Sequence, residues 1–228
     1  MLELKLIYFK MRALAETPQL MLRYADLPYS YEMAWDYFGA PWDQIKPTFL
    51  YTQLPALQIN NDKIIVQSGS IVRHLAKITN LMPNDDILAA EVDALFETSQ
   101  ELFIPLNPTI NFATGRVFEE KKVKVLKFLE SRLTILEREL SKYDDGPFFF
   151  GNQVHYADFG VFHHVDLARF LDEKLLTPYP LMMQFMTNIE GLKGVSEYLN
   201  IRPELIGVGT DPKLIISGEA KSTGIIDN

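Results

Sequence analysis

A chain of 228 residues, 47% apolar and 23% charged, has the balance of an ordinary globular protein. At that length it should bury about 70% of the surface it exposes unfolded, which argues against disorder. Its 30 acidic against 22 basic side chains leave a net charge of −8, the wrong sign for neutralising phosphates, so nucleic acid is disfavoured as a partner.

Cysteine is absent, which removes disulfides, thiolate metal sites, iron–sulfur clusters and a cysteine nucleophile, and fits a reducing, cytoplasmic compartment. No apolar run approaches the roughly 20 residues of a membrane span. Met1 leads directly into Leu2-Glu3-Leu4-Lys5-Leu6 without a basic leader, so no membrane is expected as a partner.

Residues 2–8 alternate at period 2 and predict a strand. Residues 14–25 predict a helix on Leu14, Leu20, Met21, Leu22 and Ala25, with Pro18 tolerated in its first turn. Tyr29 to Met33 alternates again, and a polar and aromatic stretch runs from Trp35 to Thr52. Residues 56–59 and 64–66 flank Asn60-Asn61-Asp62-Lys63, a β-hairpin signal. Ser68 is placed to N-cap a helix whose stripe is Ile71, Val72, Leu75 and Ile78. The order β-α-β, then β-β-α, predicts a small mixed sheet with helices on its faces.

Asn80 to Asp85 carries turn residues and reads as a linker. Residues 86–112 predict one helix, bent near Pro105 and Pro108. Residues 119–141 predict another, with leucines at 126, 129, 133, 136 and 140, and Lys121 to Arg138 as a solvated face. Asp144-Asp145-Gly146-Pro147 reads as a loop. Residues 156–171 are apolar nearly all round and predict the core helix of a second domain, followed by helices near 180–189 and 191–200. The end of the chain reads as a polar tail whose apolar runs at 214–216 and 225–226 could dock on the body.

Four features carry chemistry, each with an ordinary structural alternative. Tyr8 ends a strand just before a helix, where α/β layers place ligands and where a tyrosine also simply packs. Leu54-Pro55 precedes a strand and is either a cis peptide in a tight turn or a trans proline at a strand start. Gln67-Ser68 opens a helix, either to hold a carboxylate on free N–H groups or as a plain cap. His155, His163 and His164 lie near Asp158 and Asp166, but no second spaced pair closes a shell, so no metal is expected and Asp158 reads as a helix-start residue.

Taken in order, Tyr8-Phe9 with Arg12-Ala13 and Ala15-Glu16, then Trp42, Lys46-Pro47, then Gln53-Leu54-Pro55-Ala56-Leu57, then Gln67-Ser68 with Ile71, Arg73 and Leu75-Ala76, resemble the cytosolic glutathione transferases. The pattern is closest to the sigma class, with mu-like features at Leu14 and around Ile189-Glu190-Gly191-Leu192. Phe150-Gly151-Asn152 with Ala157-Asp158-Phe159 resembles the family's helix-start motif, and the likeness spans about residues 2–202. It implies an α/β thioredoxin-like N-terminal domain over 1–79, a linker over 80–85, an all-α C-terminal domain over 86–202 and a tail over 203–228.

The resemblance also implies roles. Tyr8 would donate a hydrogen bond to the glutathione sulfur. Gln67 and Ser68 would bind the γ-glutamyl carboxylate, Leu54 before Pro55 would pair with the cysteinyl backbone, and Trp42 and Lys46 would hold the glycyl end, with Leu14 and Gln53 as further contacts. A small hydrophobic electrophile would lie against Phe9, Met11, Leu14, Phe103, Leu106, Ile110 and Phe112. A homodimer is implied, in which an acidic residue of the first long helix, Glu101 before Glu97, reaches the partner's γ-glutamyl amine. Phe49 or Tyr51 would anchor in the partner's helices. Thr52 and His155 depart from the family pattern. The activity implied is conjugation of glutathione; a prostaglandin D synthase-type isomerase and a non-catalytic crystallin-like or ligand-carrying protein are the alternatives.

Overall fold

The period-2 run at the start of the chain forms strand β1 (Leu4–Tyr8), and its two neighbours run in opposite directions. The computed structural model describes residues 2–143 and 146–227. Helix α1 (Glu16–Tyr24) is the crossover that lets β2 (Ser30–Met33) return parallel to β1. β3 (Ala56–Ile59) is antiparallel to β1, and β4 (Lys63–Val66) completes the order β2-β1-β3-β4. The β3–β4 hairpin turns through Asn60 and Asn61, both left-handed, a conformation asparagine tolerates because its short side chain bonds locally. Helix α4 (Ser68–Ile78) buries Ile71, Val72, Leu75 and Ala76, while Ile78 is left exposed.

The aromatic stretch after β2 folds as α2 (Ala34–Phe38), α3 (Trp42–Ile45) and two 3₁₀ turns, Lys46–Thr48 and Leu50–Thr52. It packs Phe38, Trp42 and Phe49 edge-on or tilted around one another, with Phe9 of the β1 end meeting Trp42 at 5.7 Å between ring centres.

The remaining helices are α5 (Asp86–Ile110), α6 (Gly115–Leu140), α7 (Tyr156–Ala168), α8 (Pro180–Glu190) and α9 (Lys193–Ile201). Asp85 caps α5, accepting from the Leu88 N–H at 2.8 Å. α5 continues through Pro105 and Pro108 to Ile110. α6 begins at Gly115, ahead of its leucine repeat, and buries Leu129, Leu133, Leu136 and Leu140. Every residue of α7 is buried, as its apolar surround requires, and α7 packs chiefly on α5. Asp158 reaches back to the His155 N–H at 2.7 Å and also accepts the Phe149 N–H at 3.2 Å. Of the loop expected at 144–147, Asp144 and Asp145 lie outside the described residues.

The end of the chain departs most from expectation. Instead of a polar tail, β5 (Glu204–Ile206), β6 (Lys213–Ile216) and β7 (Glu219–Ser222) form an antiparallel sheet in the order β5-β6-β7. Ser217 and Gly218 join β6 to β7 with positive φ at both residues, the two-residue turn whose twist matches a hairpin. Leu205 and Leu214 are buried, whereas Ile225 and Ile226 stay exposed and do not dock. Gly209 lies at φ +82° against Phe118, where an added Cβ would sit 2.6 Å from the ring. Among the described residues no helix is long and apolar enough to cross a membrane.

Candidate active site

The ladder register explains why three distant segments meet. Ile7 pairs with Ala56, and Ala56 pairs with Val66. One step beyond that row stand Tyr8, Pro55 and Gln67, abreast at the same end of the sheet. The Leu54–Pro55 peptide is cis. Gln67, at φ +71° and ψ 118°, holds a backbone conformation uncommon for a residue with a side chain. It occupies the cap position of α4, so Ser68 is the first helical residue rather than the cap, and no side chain caps the helix. The N–H groups of the first turn are therefore left for another acceptor. Gln67 Nε2 donates to Gln53 Oε1 at 3.0 Å, tying the segment before Pro55 to the start of α4.

Tyr8 is buried, and its ring packs on Phe9 at 5.2 Å. Burial pushes its pKa well above the ordinary phenol value, against a hydrogen bond from the Leu14 backbone that acts in the opposite sense. The phenol is thus kept protonated at neutral pH, as a donor. Leu14 is half-buried at the head of α1 and packs against the same apolar cluster. Trp42 is buried; Lys46, Gln53 and Gln67 are exposed, and Ser68 is half-buried. Leu14, Ser68 and Gln100 line one narrow crevice together with His163 and His164.

Glu97 and Glu101 already have cationic partners in their own chain: Arg73 for Glu97 and Arg132 for Glu101. The residues expected to wall an electrophile pocket lie in different surroundings. Phe9 and Met11 line a cavity of about 290 Å³ together with Tyr31, Met33, Leu214 and Ile216. Phe103 packs on the cluster around Tyr8. Leu106 and Ile110 are fully buried in the helical core and present no surface to a ligand, and Phe112, beyond the end of α5, is exposed.

An ionic cluster between sheet layer and helices was not legible from the sequence as a unit. Asp166 lies 2.8 Å from Arg202, 2.7 Å from Arg169 and 3.9 Å from Arg12. Glu16 lies 3.0 Å from Arg202 and accepts the Tyr198 hydroxyl at 3.0 Å. Burial acts to raise the Asp166 carboxyl, but Arg202, with Arg169 and Arg12, outweighs it and holds the group below the ordinary carboxylate value. His163 and His164 pack ring to ring beside this cluster, 4.7 Å apart. Burial keeps both neutral, pushing His163 down to about 3. Among the described residues no group of three or more acidic, histidine or cysteine side chains is placed to hold a metal.

Residues 4–77 match the family model of the glutathione S-transferase N-terminal domain, and residues 109–202 that of a glutathione S-transferase C-terminal domain. A glutathione S-transferase P of Caenorhabditis elegans is 30% identical over 206 residues, covering 87% of this chain and 93% of that one. Glutathione S-transferase Mu 2 of Mus musculus is 32% identical over 199 residues, covering 84% and 88%. The solved Pi-class glutathione S-transferase of Onchocerca volvulus superposes with a TM-score of 0.76 at 30% identity, over 86% of this chain and 92% of that one. The chain belongs to the glutathione S-transferase family and is a glutathione transferase.

Proposed function

We propose that this transferase activates glutathione through Tyr8 and transfers it to small hydrophobic electrophiles. The observation that carries the reading is the buried, protonated Tyr8 phenol standing abreast of Pro55 and of the uncapped start of α4. A thiol of ordinary pKa, about 8.5, is mostly protonated at neutral pH. A phenol that donates to sulfur favours the thiolate, because the hydrogen bond is made to the charged form. The thiolate then forms a bond to the electrophilic carbon, the bond from that carbon to its leaving group breaks and the group departs with the electron pair, as halide from an aromatic halide, and the thiol proton leaves to solvent. Gln67, Ser68 and the N–H groups behind them take the γ-glutamyl carboxylate, the Leu54 backbone pairs with the cysteinyl unit, and Trp42 and Lys46 hold the glycyl end, with Gln53 and Leu14 completing the surround. Phe9, Met11 and Phe103 remain as walls for the electrophile.

Because Gln67 and Ser68 hold the part of glutathione that does not react, they give binding that is equal in ground and transition states. In conjugation of glutathione with a generic aromatic halide, Ser68→Ala or Gln67→Ala raises KM for glutathione about tenfold while kcat falls less than twofold, as expected for losing a hydrogen bond to a charged group. No turnover by the unaltered chain, or wild-type KM in both variants, overturns the assignment.

The functional unit we propose is a cytoplasmic homodimer of two-domain chains, with domains over 1–79 and 86–202 and class features closest to sigma, with mu-like ones. Tyr51 supports the dimer: it is 75% exposed, on a left-handed backbone at φ +49°, a costly presentation for a large aromatic. A groove of about 330 Å³ between α5 and α6, lined by Ala94, Leu95, Ile135, Leu136 and Phe150, offers a matching apolar surface. The carboxylate of Glu101, and secondly of Glu97, would be shared between its in-chain arginine and the partner's γ-glutamyl amine. Tyr51→Ala weakens the dimer by about 2 kcal/mol or more per copy, as an interface aromatic anchor does. Sedimentation that finds the same dimer constant in the variant, or a monomer in the wild type, removes this role.

A further inference from the structure

The residues between Tyr8 and α1 reverse the chain without forming a helix or named strand, so their position depends on what meets their backbone. The Phe9 carbonyl accepts from the Met11 N–H at 2.9 Å and the Tyr31 hydroxyl at 2.7 Å. The Lys10 carbonyl accepts from the Gly224 N–H at 3.0 Å. The Arg12 carbonyl accepts from Asn111 Nδ2 at 3.3 Å. Asn111 is itself buried, and its backbone carbonyl accepts the Thr223 hydroxyl at 2.6 Å. The same hydroxyl lies 3.2 Å from the Pro212 carbonyl. At the other end of the new sheet, the Arg12 guanidinium donates to the Pro203 carbonyl at 2.7 Å. The loop closes at Leu14, whose backbone hydrogen-bonds the Tyr8 phenol.

Two of these restraints, at Lys10 and through Asn111, converge on Thr223–Gly224, and a third comes from Pro203. All three lie beyond residue 202, where the match to the family's C-terminal domain ends. The β5–β7 unit is anchored independently, by buried Leu205 and Leu214 and by the Gly115 N–H donating to the Gly209 carbonyl at 2.8 Å. An anchored sheet that satisfies the carbonyls of an irregular loop restricts that loop's motion.

We propose that the C-terminal sheet clamps the loop that follows Tyr8, and that Thr223 and Gly224 are positioning residues that hold Leu14 and the Tyr8 hydroxyl in line for the glutathione sulfur. The inference rests on the reading of Tyr8 as the thiol-activating group. Its physical basis is that a hydrogen bond to a reacting atom falls off steeply with misalignment, so displacement of the loop by a fraction of an ångström weakens it.

The test titrates the thiolate absorbance of glutathione bound to the full chain, alongside kcat and KM. Thr223→Val keeps the side-chain shape and removes the hydroxyl donor. A chain ending at Thr223 keeps that hydroxyl and removes the Gly224 N–H. The thiolate titration in both variants moves up by about one pH unit, an approximately tenfold loss of thiolate on the acid side. kcat falls severalfold, KM for glutathione stays within about twofold, and Thr223→Ser restores the wild-type curve. Tyr8→Phe, run in parallel, separates the two readings. A titration that moves in Tyr8→Phe but in neither tail variant overturns the clamp alone. A titration unmoved in Tyr8→Phe overturns the role of Tyr8 and the clamp with it. Loss of glutathione affinity and of thermal stability in Thr223→Val, with an unmoved titration, reduces the contact to a structural one.

Discussion

Tyr8→Phe lowers turnover about fiftyfold near pH 6.5 and shifts the acid limb of the pH–rate profile up by about two units, toward the pKa of the free thiol. Because the phenol is buried and its pKa is raised, it holds its proton across the working range and has that proton to donate to sulfur. A donor that lowers the thiol by about two units supplies about 2.7 kcal/mol of preference for the thiolate. Phenylalanine keeps the ring against Phe9 and loses only the hydroxyl. Glutathione affinity is therefore nearly unchanged, since the γ-glutamyl and glycyl ends carry most of the binding. The effect shrinks as pH rises, because above about pH 9 both proteins hold the thiolate. Stopped-flow turnover across pH, with calorimetric affinity for glutathione, checks both halves. An unmoved profile at wild-type turnover excludes Tyr8 as the activating group.

Asp166→Asn destabilises the fold by about 3–5 kcal/mol, the cost of removing one partner from a buried ionic network. The variant leaves Arg12, Arg169 and Arg202 facing Glu16 and Glu190 with one carboxylate fewer. Arg12 and Arg202 are mostly buried, so water cannot make up the loss. For a chain of this size the melting temperature falls by roughly 6–20 °C. Glu139→Gln, which removes a half-buried surface partner of the exposed Arg138 and Lys142, costs about 1 kcal/mol or less and is the control. Acid unfolding adds a sign. The folded Asp166 pKa is depressed, so its contribution is complete above the unfolded value of about 4 and is lost as pH falls below it. The variant lacks that part of the acid limb. His163, also depressed by burial, refuses a proton that the unfolded chain accepts below about pH 6.5, so both proteins lose stability from there down toward about 3. Equal denaturant midpoints for Asp166→Asn and Glu139→Gln contradict this account.

Much of the architecture follows from local chemistry that a linear reading exposes. Period-2 alternation marks β1, the asparagine pair marks the β3–β4 hairpin, the leucine repeat marks α6, and a segment apolar on all sides can only be the central helix α7. Tyr8, Leu54-Pro55 and Gln67-Ser68 could each be picked out, because strand ends, prolines before strands and helix starts are visible as sequence punctuation. The sequence did not show that they stand side by side. That is a matter of register, set by the pairing of Ile7 with Ala56 and of Ala56 with Val66.

The errors have the same origin. Ser68 read as a cap because serine suits that position, but the turn out of β4 spends its left-handed residue at Gln67 and moves the helix start by one. Leu106 and Ile110 read as pocket walls because an apolar stripe does not say which of its neighbours is a ligand and which a helix. The tail read as polar because its strands are three or four residues long, with little buried surface of their own. They are stable only where Leu205 and Leu214 find an apolar site and where the loop after Tyr8 takes up the donors of Thr223, through Asn111, and Gly224. Local sequence thus determined which segments become strands, helices and turns. Tertiary packing alone decided which charges share the Asp166 cluster and what restrains Tyr8, since both depend on groups about a hundred or more residues apart meeting in one buried volume.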